Sequence, residues 1–403
     1  HFDTSKVTNM GGMFQHSQAT TLDLSNFDTL NVTNMQCMLC DSQATTIDVS
    51  HFDTSNVTNM QGMFWKSQAT TLDVSHFDTS NVTNMEVMFA YMTNLKTIYA
   101  SSKFVTTSVT SSTSMFEKST NLVGGAGTKY NKSYLDKTYA RIDGGTSNPG
   151  YFTDIADKDI PAPNSFSTDS WKTIIKAVKN NNISKYNVGD TKEVDLGTTY
   201  GTHTIRIANM STPSECSTSG FSQTACGFVL EFADIITTHN MNPAGEYNGT
   251  QYDYGYNVGG WPNSSMRTFV NNDIYNSLPS DLKNGIIDTT VVSSYGKSDT
   301  SNFTSTDKLY LLAPKEIYTD FNNSYDTAKD LTRQLDYYKN EGVTTSSCSK
   351  AIKINNSTAS YWWLRSAKSV NISSFYFVYN AAGDWNTGTA YTTDGVSPAF
   401  RMG

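Results

Sequence analysis

The chain has 403 residues, a formal net charge of -8, 37% hydrophobic and only 16% charged residues, and that length exceeds what one core usually supports, so two or more domains are expected. The acidic balance leaves no basic stripe to neutralise phosphates, and nucleic acid is excluded as an expected partner. The most apolar runs, at 226–236 and 309–314, are strand-length and far from the roughly 20 residues a membrane helix needs, so no membrane insertion is expected.

Self-similarity dominates the first third. Phe2, Phe27, Phe52 and Phe77 each open an FDT triplet 25 residues after the last, and Val7, Val32, Val57 and Val82 keep the same phase. So do Met10, Met35, Met60 and Met85, and Met13, Met38, Met63 and Met88, while a degenerate fifth copy keeps Phe104, Val109, Met115 and Phe116. Within a copy, LDLS at 22–25 alternates as a strand does, with Leu22 and Leu24 inward. Val32, Met35, Met38 and Leu39 then follow a helical spacing, with Asp28 and Thr29 as caps. Each copy is therefore predicted as one strand plus one helical turn, unable to bury its apolar side until copies stack. The recurring Met and Phe residues read as core rather than as a ligand cleft. Cys37 and Cys40 match a CxxC spacing but fall where the next copy has Gly62 and Trp65, and a packing role is expected. The NVT triplets at 31–33, 56–58 and 81–83 read as turn residues rather than sugar acceptors. The chain opens in mid-repeat at HFDTSK, which reads as a fragment or processed form.

FDTSNVTNMQGMF followed by LDVSHFDTSNVTNM resembles the BspA-like leucine-rich-repeat family of bacterial surface and secreted proteins. TIYASSKFVTT with YARIDGGTSNPGYFT is similar to that family's closing segment. The resemblance covers 1–153, divided into repeats at 1–123 and a closing cap at 124–153. It implies a leucine-rich-repeat-like solenoid, a cell-surface or secreted location, and adhesion or display rather than catalysis.

Asp, Pro and small polar residues at 154–164 read as a linker. Beyond it a helix is predicted with Trp171, Ile174, Ile175 and Val178 on one face, then strands at 192–196, 202–208 and 228–234, and a second helical region at 264–286. The pattern is that of an α+β domain over 165–403. Its motifs GGWPNSSMRTFVNNDIYNSLPSDLK (259–283), KLYLLAPKEIY (308–318), YWWLRSA (361–367) and GVSPAF (395–400) resemble a bacterial domain family of unknown function with a C-type-lectin-like fold. That resemblance implies WWLRS and VSPAF in one core sheet. The calcium-lectin signatures EPN and WND are missing, the nearest strings being MNPAG (241–245) and GDWNTG (383–388), so no metal and no cofactor are expected. Trp362, Trp363, Leu364 and Arg365, like Met266 and Arg267, read as structural. Cys216 and Cys226 flank a Ser/Thr/Gly loop and could close a disulfide, leaving Cys348 free.

Candidate binding residues are Tyr376, Tyr379, Trp385, Asn386 and Tyr391, within 371–395. There aromatics interleave with Asn, Ser, Thr and Gly as in paratopes, while Phe375 and Phe377 share an inward phase. A plain exposed hairpin is the alternative reading of the same segment. The six histidines form no HExxH, and neither GxSxG nor a Walker loop occurs, so no catalytic residue is assigned. The expected function is a non-enzymatic extracellular bacterial surface or secreted adhesion protein. Its repeats would form a stalk and its C-terminal domain a head for a protein or glycan on another cell or host surface. The alternative is a phage or retroelement-diversified receptor-binding protein with a lectin-like fold.

Overall fold

The computed structural model describes residues 3–145, 148–247, 249–297, 299, 301–322 and 330–403. The chain divides into one unit of residues 1–161 with 179–181, and a second of residues 162–178 with 182–403.

In the first unit each copy contributes one short strand: β1 (Thr21–Leu22), β2 (Thr46–Ile47), β3 (Thr71–Asp73) and β4 (Thr97–Ala100). β1 pairs parallel with β2, and β3 with β4, which pairs in turn with β5 (Phe152–Asp154). The ladder is interrupted between β2 and β3. A second line of parallel bridges joins Asn9, Asn34, Asn59, Asn84 and Ser111. Leu24, Ile47, Val49, Leu72 and Val74 are buried together with Met35, Met60, Met85, Phe64 and Phe89 in one continuous core, and Leu22 packs against it partly exposed.

The expected helical turn is absent. Residues 10–16 and their counterparts form a flat double turn with two left-handed residues per copy, such as Gly12 (φ 68°) with His16 (φ 58°) and Gly62 (φ 58°) with Lys66 (φ 56°). The reason lies in where the amides go. Met35, Cys37, Leu39 and Asp41 donate to the carbonyls of Asn59, Gln61, Met63 and Trp65 in the next copy at 2.7–2.9 Å, rather than to residue i−4 as a helix requires. A spacing of three and four residues satisfies either geometry, and the neighbouring copy decides. Asp28 accordingly accepts from Leu30 N at 3.0 Å as a turn residue, while the Thr29 hydroxyl donates 2.9 Å to Asp53 O one copy on. The Asn side chains of the NVT triplets are engaged too: Asn31, Asn56 and Asn81 each donate to a carbonyl of the preceding copy at 2.7–2.9 Å.

Cys37 and Cys40, expected as packing residues, are paired with each other, Cα atoms 4.8 Å apart. Their sulfurs also fill the space over Gly62, where a Cβ would meet them at 3.2 and 3.6 Å. At the other end of the stack, Asp143 gathers Ala126 N, Thr128 N and Thr128 Oγ1 at 2.8–2.9 Å. Asp154 lies in β5, and Lys158 reaches back to Asp73 at 2.8 Å. The start of the expected 154–164 linker is therefore tied into the repeat unit.

The second unit opens with helix α1 (Trp171–Lys179), which buries Trp171, Thr173, Ile174 and Ala177. Strands β6 (Thr191–Asp195), β7 (Thr202–Asn209) and β8 (Phe228–Phe232) follow, then β9 (Thr237–Asn240) and the hairpin β10 (Gly245–Tyr247)/β11 (Thr250–Tyr252). Helix α2 (Ser265–Phe269) is capped by the Ser264 hydroxyl on Arg267 N and runs through a π turn at Val270–Ile274. Hairpins β12 (Thr289–Ser294)/β13 (Asn302–Asp307) and β14 (Lys353–Asn355)/β15 (Thr358–Ser360) precede β16 (Trp362–Ala367), β17 (Ser374–Val378), β18 (Trp385–Thr389), β19 (Thr393–Val396) and β20 (Ala399–Met402). Two larger sheets result, in the orders β18-β17-β16-β19-β9 and β20-β8-β7-β6.

GVSPAF does not enter one sheet with WWLRS as a whole. Gly395 and Val396 lie in β19 beside β16, whereas Ala399 and Phe400 pair with β8 in the other sheet. Pro398 stands at the crossing, where its missing N–H and fixed φ end the first ladder.

The core of this unit carries charge. Arg365, fully buried, donates to both Glu316 oxygens at 2.6 Å, to Leu311 O at 2.8 Å and to Ser293 Oγ at 2.7 Å. Glu231 accepts from Lys353 Nζ at 2.8 Å, Arg206 at 2.8 Å and Tyr338 Oη at 2.9 Å. Burial would raise the Glu231 carboxyl, but Arg206 and Lys353 overcome it and hold it at about 2. Cys216 and Cys226 are joined in a disulfide, and Cys348 is a buried free thiol.

Candidate functional site

The five candidate residues do not form one surface. Tyr376 is core: it lies in β17, the second strand of its sheet, 2% exposed, with the Trp385 ring 5.7 Å away and the Phe321 ring at 5.6 Å. The inward phase expected for Phe375 and Phe377 is broken. Phe375 and Tyr376 are both buried, and Phe377 is the residue of that strand left half-exposed. A strand paired on both sides and covered on both faces has no outward register, so alternation between polar and apolar no longer reports exposure. Trp385 is half-buried against Phe321 at 5.3 Å and packs against the core of the unit.

The remaining residues fall into two patches. Phe377 and Asn386 are register partners across β17 and β18, and so face one side, with Asn386 exposed. Tyr361 stacks edge-on against Phe377 at 5.3 Å and Tyr379 at 5.2 Å, all three half-exposed. Burial, with the Tyr379 hydroxyl as hydrogen-bond partner, raises the Tyr361 phenol above its ordinary range. Asp394 is raised as well, by burial.

Tyr391 belongs to a different group. Its ring, 42% exposed, lies 5.8 Å from that of Tyr254, which is 61% exposed. In the segment that carries Tyr254, Tyr256 stacks on Tyr247 at 4.5 Å and meets Tyr252 at 5.8 Å. Gly255 (φ 70°) makes this meeting of segments possible, since a Cβ there would stand 2.6 Å from Asn242 O and 2.9 Å from Tyr391 N. The Tyr391 amide donates to Tyr254 O at 3.3 Å. Four of these five tyrosines come from 245–257, a segment the sequence reading passed over. Its string QYDYGYN mixes Tyr with Asp, Gly and Asn just as 371–395 does, and the same compositional signal applied there would have found it.

Arg267 donates to Asp307 at 2.6 Å beside the Trp261 indole, which donates to the same carboxylate at 3.0 Å. Arg365 is fully enclosed. Both arginines are occupied in the fold. Among the described residues no group of three or more His, Cys, Asp or Glu side chains is placed to hold a metal ion, and no helix is long and apolar enough to cross a membrane.

The family model described as "Mycoplasma protein of unknown function, DUF285", a BspA-like surface-repeat family, matches residues 1–100 and 39–143. The model described as "Domain of unknown function (DUF6273)" matches residues 233–402. No curated protein and no solved structure matches the chain.

Proposed function

We propose that this chain is a non-enzymatic, extracellular bacterial binding protein, with the repeats as a solenoid scaffold and the α+β, lectin-like domain as a recognition head. The observation that supports it best is the Tyr254–Tyr391 patch. Two large aromatic side chains stand exposed at 61% and 42%, and three further tyrosines, Tyr247, Tyr252 and Tyr256, pack on one another within the segment that carries Tyr254. Tyr offers broad contact area at low entropic cost, and such residues among small polar neighbours suit a protein or glycan surface. The match to a surface-repeat family supports the location. Tyr376, read above as a contact residue, has no part in this site. A diversified receptor-binding protein is the weaker reading, because the middle of 371–395 is core and would not tolerate free variation.

The test is a glycan and protein array probed with the whole chain and with Tyr254→Ala/Tyr391→Ala. Loss of about 2 kcal/mol of affinity for any captured ligand is expected, with the melting temperature unchanged. A ligand whose binding ignores both substitutions would sink the assignment of this patch.

A further inference from the structure

The copies of the repeat are nearly identical, and their differences are concentrated. Residues 3–10, 28–35, 53–60 and 78–85 read DTSKVTNM, DTLNVTNM, DTSNVTNM and DTSNVTNM, whereas the two turn tips vary: 11–12, 36–37, 61–62, 86–87 and 113–114 read GG, QC, QG, EV and TS, and 15–16, 40–41, 65–66, 90–91 and 117–118 read QH, CD, WK, AY and EK. Scaffold columns repeat because each does one job: Thr29, Thr54 and Thr79 all donate to a carbonyl of the next copy.

The second tip also carries backbone strain. His16, Asp41, Lys66, Tyr91 and Lys118 all sit at φ 53–60°, a left-handed geometry that glycine adopts freely and other residues at a cost. The backbone asks only for that conformation, so that His16, Asp41, Lys66 and Tyr91 can each donate an amide hydrogen bond to the next copy. The column four residues earlier takes the same conformation and is filled by Gly12, Cys37, Gly62, Val87 and Ser114, so glycine is accepted there in two copies, yet no copy uses it here. Side chains of four kinds are instead projected in a row, and a left-handed column that is never glycine in five copies points to use of its side chains.

What the row displays is specific at its C-terminal end. Trp65 and Tyr91 meet edge-on at 6.2 Å; Lys66 Nζ lies 4.2 Å over the Trp65 ring and Lys118 Nζ 6.0 Å over Tyr91. Lys66 and Tyr91 are half-exposed and Lys118 is exposed. Nearby carboxylates are engaged, Glu117 by Tyr91 Oη at 3.3 Å and Glu86 by Gln61 and Ser111. Among the described residues neither lysine has a carboxylate partner. Two ammonium groups without an ion-pair partner thus flank a Trp–Tyr pair; Trp and Tyr are enriched in binding hot spots, and charges beside them steer an oppositely charged partner.

We propose that this row is a second recognition surface, built on the scaffold itself, and that it takes an acidic, extended protein segment. Lys66 and Lys118 are two copies apart, which at the parallel-strand spacing is ~10 Å. A segment in the extended polyproline II form, with three residues per turn and a rise of about 3.1 Å, covers that span in about three residues with both side chains on one face, so the fitting segment has two carboxylates three positions apart with an aromatic residue between.

The probe is a short fluorescein-labelled peptide with two glutamates three positions apart and a phenylalanine between them, set against its glutamine counterpart in anisotropy titrations of the whole chain. The glutamate peptide should bind at least tenfold tighter at low salt, and Lys66→Gln with Lys118→Gln should erase the difference. Tyr254→Ala/Tyr391→Ala should leave it intact, which separates this surface from the head domain. Lys66→Gly should lose the preference while melting at or above the parent temperature, because the strain is relieved. Equal binding of the two peptides, a preference surviving both lysine changes, or a lower melting temperature for Lys66→Gly would each overturn the proposal. So would a sulfated oligosaccharide that displaces the peptide with equal strength, since any polyanion would then serve.

Discussion

The repeat unit and the C-terminal unit solve the same problem of register in opposite ways. In the repeats the buried positions recur from copy to copy: Phe64 stacks on Phe89 at 5.7 Å and Phe89 on Phe116 at 5.6 Å, and the amides run copy to copy. Among the described residues the buried polar side chains there are Ser and Thr hydroxyls together with Asp143. The C-terminal unit has no such translation, and its core is pinned by Arg365–Glu316 and Lys353–Glu231–Arg206, whose partners lie 49, 122 and 25 residues apart in sequence. An array adds local interfaces one by one, whereas a non-repeating domain needs contacts that only one arrangement satisfies. Paired buried charges are one way to provide them.

The sharpest way to break this contrast is Arg365→Met. It strands Glu316 in the core, and the loss should be about 3–5 kcal/mol, confined to the C-terminal unit. Tryptophan fluorescence during urea unfolding checks it, because five of the six tryptophans, all but Trp65, lie in that unit. If the variant unfolds at the parent midpoint, the buried pair contributes nothing to that core.

Acid separates the units next. The Glu231 carboxyl, held at about 2 in the fold, has an ordinary value near 4.3 when unfolded. A folded pKa below the unfolded one gives stability that is fully present above the unfolded value and lost as pH falls towards 2. The loss should reach roughly 3 kcal/mol. Melting temperatures recorded between pH 5 and pH 2 should fall steeply for the parent and less for Glu231→Gln; parallel curves would show that Glu231 is not the source.

The smallest effect belongs to the repeats. Thr54→Val removes the 3.0 Å hydrogen bond to Asp78 O in the next copy and should cost about 1 kcal/mol. Circular dichroism melts should place this loss well below that of Arg365→Met. A cost as large as that of the arginine would mean that the array depends on single contacts after all, and the contrast between the units would fail.

Much of the repeat unit was legible because its information is periodic. A phase held by Val32, Met35, Met38 and Leu39 and by their counterparts marks buried positions whatever the local backbone does. The backbone itself was not legible: the same spacing suits a helix or a flat double turn, and the choice rests on amides that find carbonyls one copy away. The site was read less well. Tyr391 and Asn386 are exposed as their neighbours suggested, but Tyr376 is enclosed because β17 is covered on both faces, and Tyr254 was missed because its partner Tyr391 lies 137 residues further on.

By itself, then, the sequence determined the 25-residue array, the division into two kinds of domain, and the composition of the surfaces, since periodicity and residue chemistry are local properties. Only the tertiary structure decided which aromatics face water, which lysines lack a counter-charge, and where GVSPAF leaves one sheet for another. Those outcomes depend on which distant segments cover a residue or pair with it, and no stretch of chain carries that information alone.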